Sequence, residues 1–238
     1  MSILPDSFHR RSLTYHIHDP IEYHERDSAT VVHHYSAADN IEQVRNCGLL
    51  DFSELQRTGL RGPGTKDFLA KLQLPFPEQP NQLQTTDNGM LVARLGSTEC
   101  WLLDNPLGLI ESGDFDAKKT NHSISDLDNT IQDDSGVYPL YCQHSHAWFA
   151  LTGNHLPPLM AKICGVDLHK SVFPIGTIAQ TSIARVNGII MHHQLNGIPI
   201  FSILSDSSSA EYLWHALIDA MAEFQGEAIG LGALTTEI

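Results

Sequence analysis

The sequence predicts an α+β protein built as two similar halves, each running strand, tight turn, helix, loop and hairpin, so that two ferredoxin-like β-α-β-β units follow one another. Three observations carry this. Arg57–Leu72 (RTGLRGPGTKDFLAKL) lies over Trp148–Ile163 (WFALTGNHLPPLMAKI) with Gly62 on Gly153, at an offset of 91 residues. Val92-Ala93-Arg94-Leu95 meets Ile183-Ala184-Arg185-Val186 at the same offset. Each pair of segments is followed by strand-like runs separated by turn residues, and self-similarity of this kind is to be settled before anything else.

Taken in order, residues 1–46 are polar and rich in histidine. Ser12–His18 alternates loosely and Ala29–Tyr35 is β-prone, so one or two strands are expected, packing on the core. His16-x-His18 on a strand would aim both imidazoles to one face. No cysteine or carboxylate stands at an established ligand spacing, so no metal is expected. The first half spans 47–105. Gln56–Arg61 reads as a strand and Gly62-Pro63 opens a helix, proline being tolerated at the first helical position. Phe68, Leu69 and Leu72 give that helix one buried stripe, and Pro75, Pro77 and Pro80 end it. Met90–Leu95 and Cys100–Leu103 form a hairpin around Gly96–Glu99.

Residues 106–136 are acidic and short of large apolar side chains, so they are expected as an exposed insertion. The second half spans 137–238. Tyr138–Leu151 alternates as one strand, and Thr181–Gln194 pairs with Ile198–Leu204 around Asn196-Gly197, a strong two-residue turn signal. Ser208-x-x-Glu211 reads as a capping box for a closing helix through Gln225. Leu213, Leu217, Met221 and Phe224 form its buried stripe, and Gly226 stops it.

Composition narrows the function. The formal net charge of −14 argues against nucleic acid and anionic membranes, which demand clustered Lys and Arg. Apolar content of 42% with 18% charged residues fits a soluble globular chain. Four widely spaced cysteines without a CxxC, and no apolar core of signal-peptide type, point to buried thiols and a cytoplasmic protein. No phosphate loop, nucleophile elbow or zinc motif is present. His144-x-His146 and His192-His193 suit half-buried strand positions better than acid/base roles.

The stretch Cys47–Leu69 (CGLLDFSELQRTGLRGPGTKDFL) resembles the opening motif of the glycine cleavage aminomethyltransferases (T-protein). LPFPEQPNQ followed by ARLGSTECWLL, then CGVDLHKSVFPIGTIAQTSIARV and SSSAEYLWHAL, resemble one branch of that superfamily, the gamma subunit of heterotetrameric sarcosine oxidase. The resemblance covers about residues 45–225. It implies the aminomethyltransferase-like fold with a tetrahydrofolate channel and a place in one-carbon metabolism. It also implies flavoprotein subunits of a sarcosine oxidase-like complex as partners.

The family's catalytic pattern is largely missing. Its aspartate pair before the strand Met90–Leu95 falls on Asn88 and Gly89, with Asp87 one residue away. Its Tyr-Thr-Gly-Glu segment after Arg185 is absent, and no Asp or Glu occurs between Arg185 and Ser205. The transferases also continue into a further domain where this sequence ends. Without those carboxylates, transfer to folate loses its chief electrostatic help, and no catalytic residue is assigned. Asp51, Ser53, Asp87, Arg94 and Arg185 remain as candidates for folate contacts, Arg94 and Arg185 because the repeat makes them equivalent. Each has a structural alternative, as a turn cap or as an anchor of its own sheet. Trp214 is the candidate interface residue, since Tyr212, Trp214 and Ile218 lie outside the closing helix's buried stripe. Residues 1–46 covering that face is the competing expectation. Two functions follow, a non-catalytic subunit of an amine-oxidising flavoenzyme or a self-standing tetrahydrofolate-dependent enzyme or binding protein.

Overall fold

The computed structural model describes residues 6, 8–37, 39, 41–107, 124, 127, 130, 131 and 136–234. In chain order the elements are β1 (Arg10–Arg11), β2 (Glu22–Arg26), β3 (Ala29–His34), α1 (Ile41–Asn46), β4 (Gly48–Asp51), β5 (Arg57–Arg61), α2 (Thr65–Lys71), β6 (Gln82–Thr85), β7 (Leu91–Arg94) and β8 (Glu99–Leu103). They continue with β9 (Tyr138–Leu140), β10 (His146–Thr152), α3 (Leu156–Met160), β11 (Ile178–Ile183), β12 (Val186–Leu195), β13 (Ile198–Asp206), α4 (Ala210–Met221) and β14 (Glu227–Ala228).

Two compact units form. The first comprises residues 1–54, 145–175 and 179–238, the second 55–144 and 176–178. The first holds a six-stranded sheet in the order β11-β12-β13-β10-β4-β14 and a small sheet β1-β3-β2. The second holds a five-stranded sheet in the order β6-β7-β8-β5-β9. The two large sheets repeat one pattern. β5 and β10 are each flanked by the last strand of a hairpin (β8, β13) and by a strand from elsewhere in the chain (β9, β4), all antiparallel.

Arg57–Leu72 and Trp148–Ile163 do occupy like elements, strand, glycine turn and helix. Gly62 (φ 137°) and Gly153 (φ 102°) make the turn in a region that L side chains rarely adopt. A Cβ would also lie 2.1 Å from the Gly136 carbonyl oxygen at Gly62, and 2.3 Å from that of Asn46 at Gly153. The turn therefore needs glycine twice over, for conformation and for space.

Past the helices the match changes. Each half carries one strand more than expected, β6 and β11, so the unit is β-α-β-β-β. Thr181–Gln194 is not one strand, because the chain reverses at Ala184-Arg185, where both residues have positive φ (47° and 72°). Val92–Arg94 lies within β7 while Ala184-Arg185 is a turn, so the second sequence match aligns unlike elements. Tyr138–Leu151 likewise divides, into β9 and β10. Ser12–His18 holds a short 3₁₀ turn, Tyr15–Ile17, and no strand.

Most of 106–136 lies outside the described residues. Ile124 and Leu127 are nevertheless buried with Leu60, Phe68, Val92 and Leu102, so part of the expected exposed insertion packs inward. The closing helix starts differently from the expected capping box. Asp206 Oδ1 accepts from the Ser208 backbone N–H (2.8 Å) and hydroxyl (2.6 Å), ahead of a 3₁₀ turn that leads into α4. At its other end Gln225, not Gly226, takes the left-handed conformation (φ 54°). Gly226 serves close packing, since a Cβ there would meet Met221 and the Cys47 sulfur at 2.6 and 2.7 Å.

β10 and β13 are buried along almost their whole length, on both faces. Phe149 and Leu151 point into the core beneath α4 with Phe201, Leu213 and Leu217. Trp148 points to the other face, as strand alternation requires. All four cysteines are free and buried, and burial lifts the Cys47 and Cys100 thiols to about 11 and about 12. Such thiols stay protonated and unreactive. Among the described residues no helix is long and apolar enough to cross a membrane.

Candidate functional site

Asp51 ends β4, the strand of the opening motif, and its carboxylate is buried, with 3% of the side chain exposed. A buried charge must be matched by donors. The N-terminal segment supplies them. Thr14 Oγ1 donates to Asp51 Oδ2 at 2.7 Å, and the Ser12 hydroxyl donates to the same oxygen. His18 Nε2 lies 3.2 Å from Oδ2 and 2.8 Å from Thr14 Oγ1. The Ser53 backbone N–H donates to Oδ1 at 2.9 Å. Burial alone would raise the Asp51 carboxyl, but the His18 charge and the hydrogen bonds from His18, Ser12 and Ser53 outweigh it and hold it below the usual carboxylate range.

This arrangement is a clamp. The hydroxyls bond to the carboxylate itself, and no serine is paired with an imidazole base acting on it, so the order of a nucleophilic triad is absent here. What the donors do is fasten residues 12–18 onto β4. Ser53 is equally committed, its hydroxyl accepting the Trp148 backbone N–H at 3.1 Å. Sequence reasoning found Asp51 and Ser53, missed Ser12 and Thr14, and weighed His18 only as a partner of His16. Partners 33 to 39 residues away leave no local motif to find.

The remaining candidates are dispersed. In the second unit Asp87 sits exposed in the tight turn joining β6 to β7, where Gly89 has φ 82°. It borders an open groove with Leu72, Leu74, Thr85, Asn88 and Met90. Arg94 stands at the opposite end of β7. Its guanidinium donates to the carbonyls of Pro77 (2.9 Å), Glu78 (2.6 Å), Gly96 (3.1 Å) and Ser97 (3.1 Å), and its Cζ lies 4.2 Å from the Phe76 ring centroid. Arg94 thus pins the proline-rich loop to the hairpin. Arg185, in the first unit, is exposed in the β11–β12 turn. The two arginines are not equivalent, which removes the pseudosymmetric guanidinium pair expected from the repeat.

Of the two expectations for Trp214, the structure fits cover by residues 1–46 rather than an exposed anchor. Trp214 is 4% exposed, its ring centroid 4.5 Å from that of His18, 5.2 Å from Phe149 and 6.4 Å from Tyr35. Residues of the N-terminal 46 therefore cover that face of α4, and Trp214 is not an exposed anchor. His16, paired with Glu211 at 3.5 Å and half exposed, does not share a face with the buried His18.

The strand histidines are structural. His192 Nδ1 donates to the Phe173 carbonyl at 2.7 Å, and burial still pushes the imidazole pKa down. His193 Nε2 lies 2.8 Å from Ser202 Oγ, which also accepts from Trp148 Nε1 at 2.9 Å. Burial, with the neighbouring His192, drives its pKa to about 3. A base so weak is neutral at any working pH and cannot shuttle protons near neutrality.

A tetrahydrofolate contact by this chain's own candidates would have to use Asp87 or Arg185, because the polar atoms of Asp51, Ser53 and Arg94 are committed internally. Among the described candidates, Asp87 lies in the second unit and Arg185 in the first, so neither unit brings a candidate carboxylate and an uncommitted candidate guanidinium together and no step of folate chemistry is derived.

Two sheets with one strand order, each strand–glycine–helix motif feeding a hairpin, define the aminomethyltransferase-type folate-binding fold. The chain belongs to the family of the GCVT N-terminal domain, whose model matches residues 13–237. Among solved structures it is similar to a chain of the heterotetrameric sarcosine oxidase from Corynebacterium sp. U-96 in complex with pyrrole 2-carboxylate. That match has a TM-score of 0.59 and 23% identity, covering 77% of this chain and 88% of the other. It is also similar to the glycine cleavage system aminomethyltransferase T from Bartonella henselae, with a TM-score of 0.64 and 14% identity, covering 94% of this chain and 60% of that one. No curated protein sequence matches it.

Proposed function

We propose that the chain is a sarcosine oxidase gamma-type subunit, a non-catalytic component of an amine-oxidising flavoenzyme complex in one-carbon metabolism. The observation that carries this reading is the state of its carboxylates. The position of the family's acidic pair holds Asn88-Gly89 in an exposed turn, and Asp51 is a buried clamp. Neither can orient the nitrogens of a reduced folate or take up a proton there. The likeness to the sarcosine oxidase chain, which covers 88% of that chain against 60% of the aminomethyltransferase, supports the same reading. The shared strand order of the two sheets supports an origin by internal duplication, with divergence after the helices. Partners would be flavoprotein subunits that hold the amine and the flavin.

The test has two arms. Co-expressed with flavoprotein subunits of a sarcosine oxidase-type complex, the tagged chain should retain them on purification, with flavin absorbance in the eluate. Alone, it should give no aminomethyl or methyl transfer to tetrahydrofolate. Turnover by the isolated chain that vanishes in Asp87→Asn would replace this reading with that of a self-standing folate-dependent transferase.

A further inference from the structure

β2 and β3 are joined by the two-residue turn Asp27-Ser28, both residues with positive φ (49° and 63°), the geometry that lets two strands pair without splaying. Residues two apart on a strand share a face, so Glu22 and His24 project together. The register shifts between Glu22 and Tyr23 where β2 opposes the end of β3, which brings His33 onto the same patch.

Three donors converge there. Glu22 Oε1 lies 3.1 Å from His24 Nε2, and its Oε2 lies 3.5 Å from His33 Nδ1. One ligand atom from each residue falls within 4.8 Å of the other two. The two imidazoles stack, with centroids 3.6 Å apart and planes at 18°. Residues 231–234 back the strand, and a Cβ on Gly232 would stand 2.7 Å from His33 Cε1, so that ring is held from behind.

An ordinary ion pair accounts for only part of this. One carboxylate can neutralise one imidazolium, and protonating both stacked rings would place like charges in contact. Two imidazoles and a carboxylate make the donor set that suits a borderline divalent cation, with a fourth position left open. Burial, and then the neighbouring His24 and His34, lower the His33 pKa, while Glu22 opposes that shift. The balance favours the neutral, ligating form.

We propose that Glu22, His24 and His33 bind a divalent transition-metal ion of the Zn²⁺ class on the outer face of the β2–β3 hairpin. Glu22 and His24 are each about half exposed, so an ion reaches the site directly from solvent. Binding requires the His24 ring to turn out of the stack, a rotation open to an exposed side chain. The expectation from sequence was that no metal binds. Glu22 and His24 stand two apart in β2, but His33 joins them only through the hairpin register.

The test uses the full chain, freed of metal and titrated with Zn²⁺ against a chromophoric chelator, with the Co²⁺ absorption spectrum as a second readout. One equivalent should bind at about pH 7.5, weakening at least about tenfold near pH 5.5 as the imidazoles protonate. His24→Ala and His33→Ala should each weaken Zn²⁺ binding by about tenfold or more, and Glu22→Gln by less. His24 is surface-exposed, so its substitution spares the core, and far-UV circular dichroism verifies this. Wild-type affinity in both histidine variants would overturn the site, as would no binding on the order of 10 µM Zn²⁺. Neither result depends on the flavoenzyme reading, because no partner subunit is present.

Discussion

The six-stranded and five-stranded sheets share a strand order but not an interior. Behind the five-stranded sheet the core is Leu60, Phe68, Leu69, Met90, Val92, Cys100 and Leu102. In the first unit the clamp on Asp51 and the line Trp148–Ser202–His193 place ionisable and hydroxyl groups inside. Its hairpin strands are also longer, ten and nine residues in β12 and β13 against four and five in β7 and β8. The second unit buries polar groups too, Arg57, Thr58 and Thr65, but among its described buried residues there is no histidine, aspartate or glutamate. A common topology therefore tolerates two chemistries of interior, and the one with groups that titrate below neutrality should fail first when protons are changed.

The largest effect is expected at the clamp. Asp51→Ala removes a buried carboxylate and strands the donors of Ser12, Thr14, His18 and Ser53, at a cost on the order of 3–5 kcal/mol. Arg94→Ala in the other unit, where the freed carbonyls lie near the surface and find water, should cost only about 1–2 kcal/mol. Urea denaturation of the two variants measures the difference. Equal losses would mean that the clamp is no more critical than a loop anchor.

Acid should separate the units next. His193, with a folded pKa of about 3, stays neutral while its unfolded counterpart, near the ordinary 6.5, takes up a proton. The unfolded state then binds more protons, so stability falls as pH drops from 6.5 toward 3, by about 1.4 kcal/mol per unit, and is unaffected above that window. Asp51 adds its own loss only below about pH 4, where the unfolded carboxyl protonates before the folded one. Among the described residues the second unit buries no histidine. Hydrogen exchange between pH 6.5 and 4.5 should therefore show β10, β12 and β13 losing protection ahead of β5, β7 and β8. In His193→Gln that slope should shrink by about one proton's worth.

The two glycine turns are where the halves agree, and they should respond alike. Gly62→Ala and Gly153→Ala each force a Cβ into a carbonyl at a positive φ, with a loss of about 2 kcal/mol or more apiece. A benign Gly62→Ala beside a damaging Gly153→Ala would show that the structural correspondence ends at the backbone trace.

How far the sequence could be read follows the same division. The strand–glycine–helix segments were legible because turn chemistry is local, and Gly62 and Gly153 announce it. The hairpins were legible in part. Asn196-Gly197 marks β12–β13, but Ala184-Arg185 carries no turn signature, so β11 and β12 read as one strand. With the turn missed, Arg185 was matched to the strand residue Arg94. Asp51 and Ser53 were legible as residues of a motif, and the turn-cap alternative holds in part, since Asp51 caps the Ser53 N–H. The clamp was not legible, because Ser12, Thr14 and His18 reach Asp51 from far along the chain. For Trp214 the sequence left two readings open for a similar reason. The helix was correctly read as apolar on two sides, but the cover came from Tyr35 and His18, which no periodicity connects to it.

The smallest predicted effect concerns that unannounced turn. Ala184 and Arg185 both hold left-handed φ values, which cost a side-chain-bearing residue on the order of 1 kcal/mol each. Two contacts hold them there. Ala184 N–H donates to the Ile163 carbonyl at 2.7 Å, and Tyr212 Oη donates to the Ala184 carbonyl at 2.8 Å. Arg185 is exposed, so Arg185→Gly relieves strain without opening a cavity. Glycine also gains freedom in the unfolded chain, which offsets part of the relief. The net should be a stabilisation of about 0.5–1 kcal/mol, seen as a higher urea midpoint at unchanged slope. The corresponding change at Arg94, a β7 residue whose guanidinium holds four carbonyls, should destabilise instead. Opposite signs for two residues aligned by one sequence offset would confirm that the halves part company after their helices. A destabilised Arg185→Gly would instead assign the Arg185 side chain a holding role of its own.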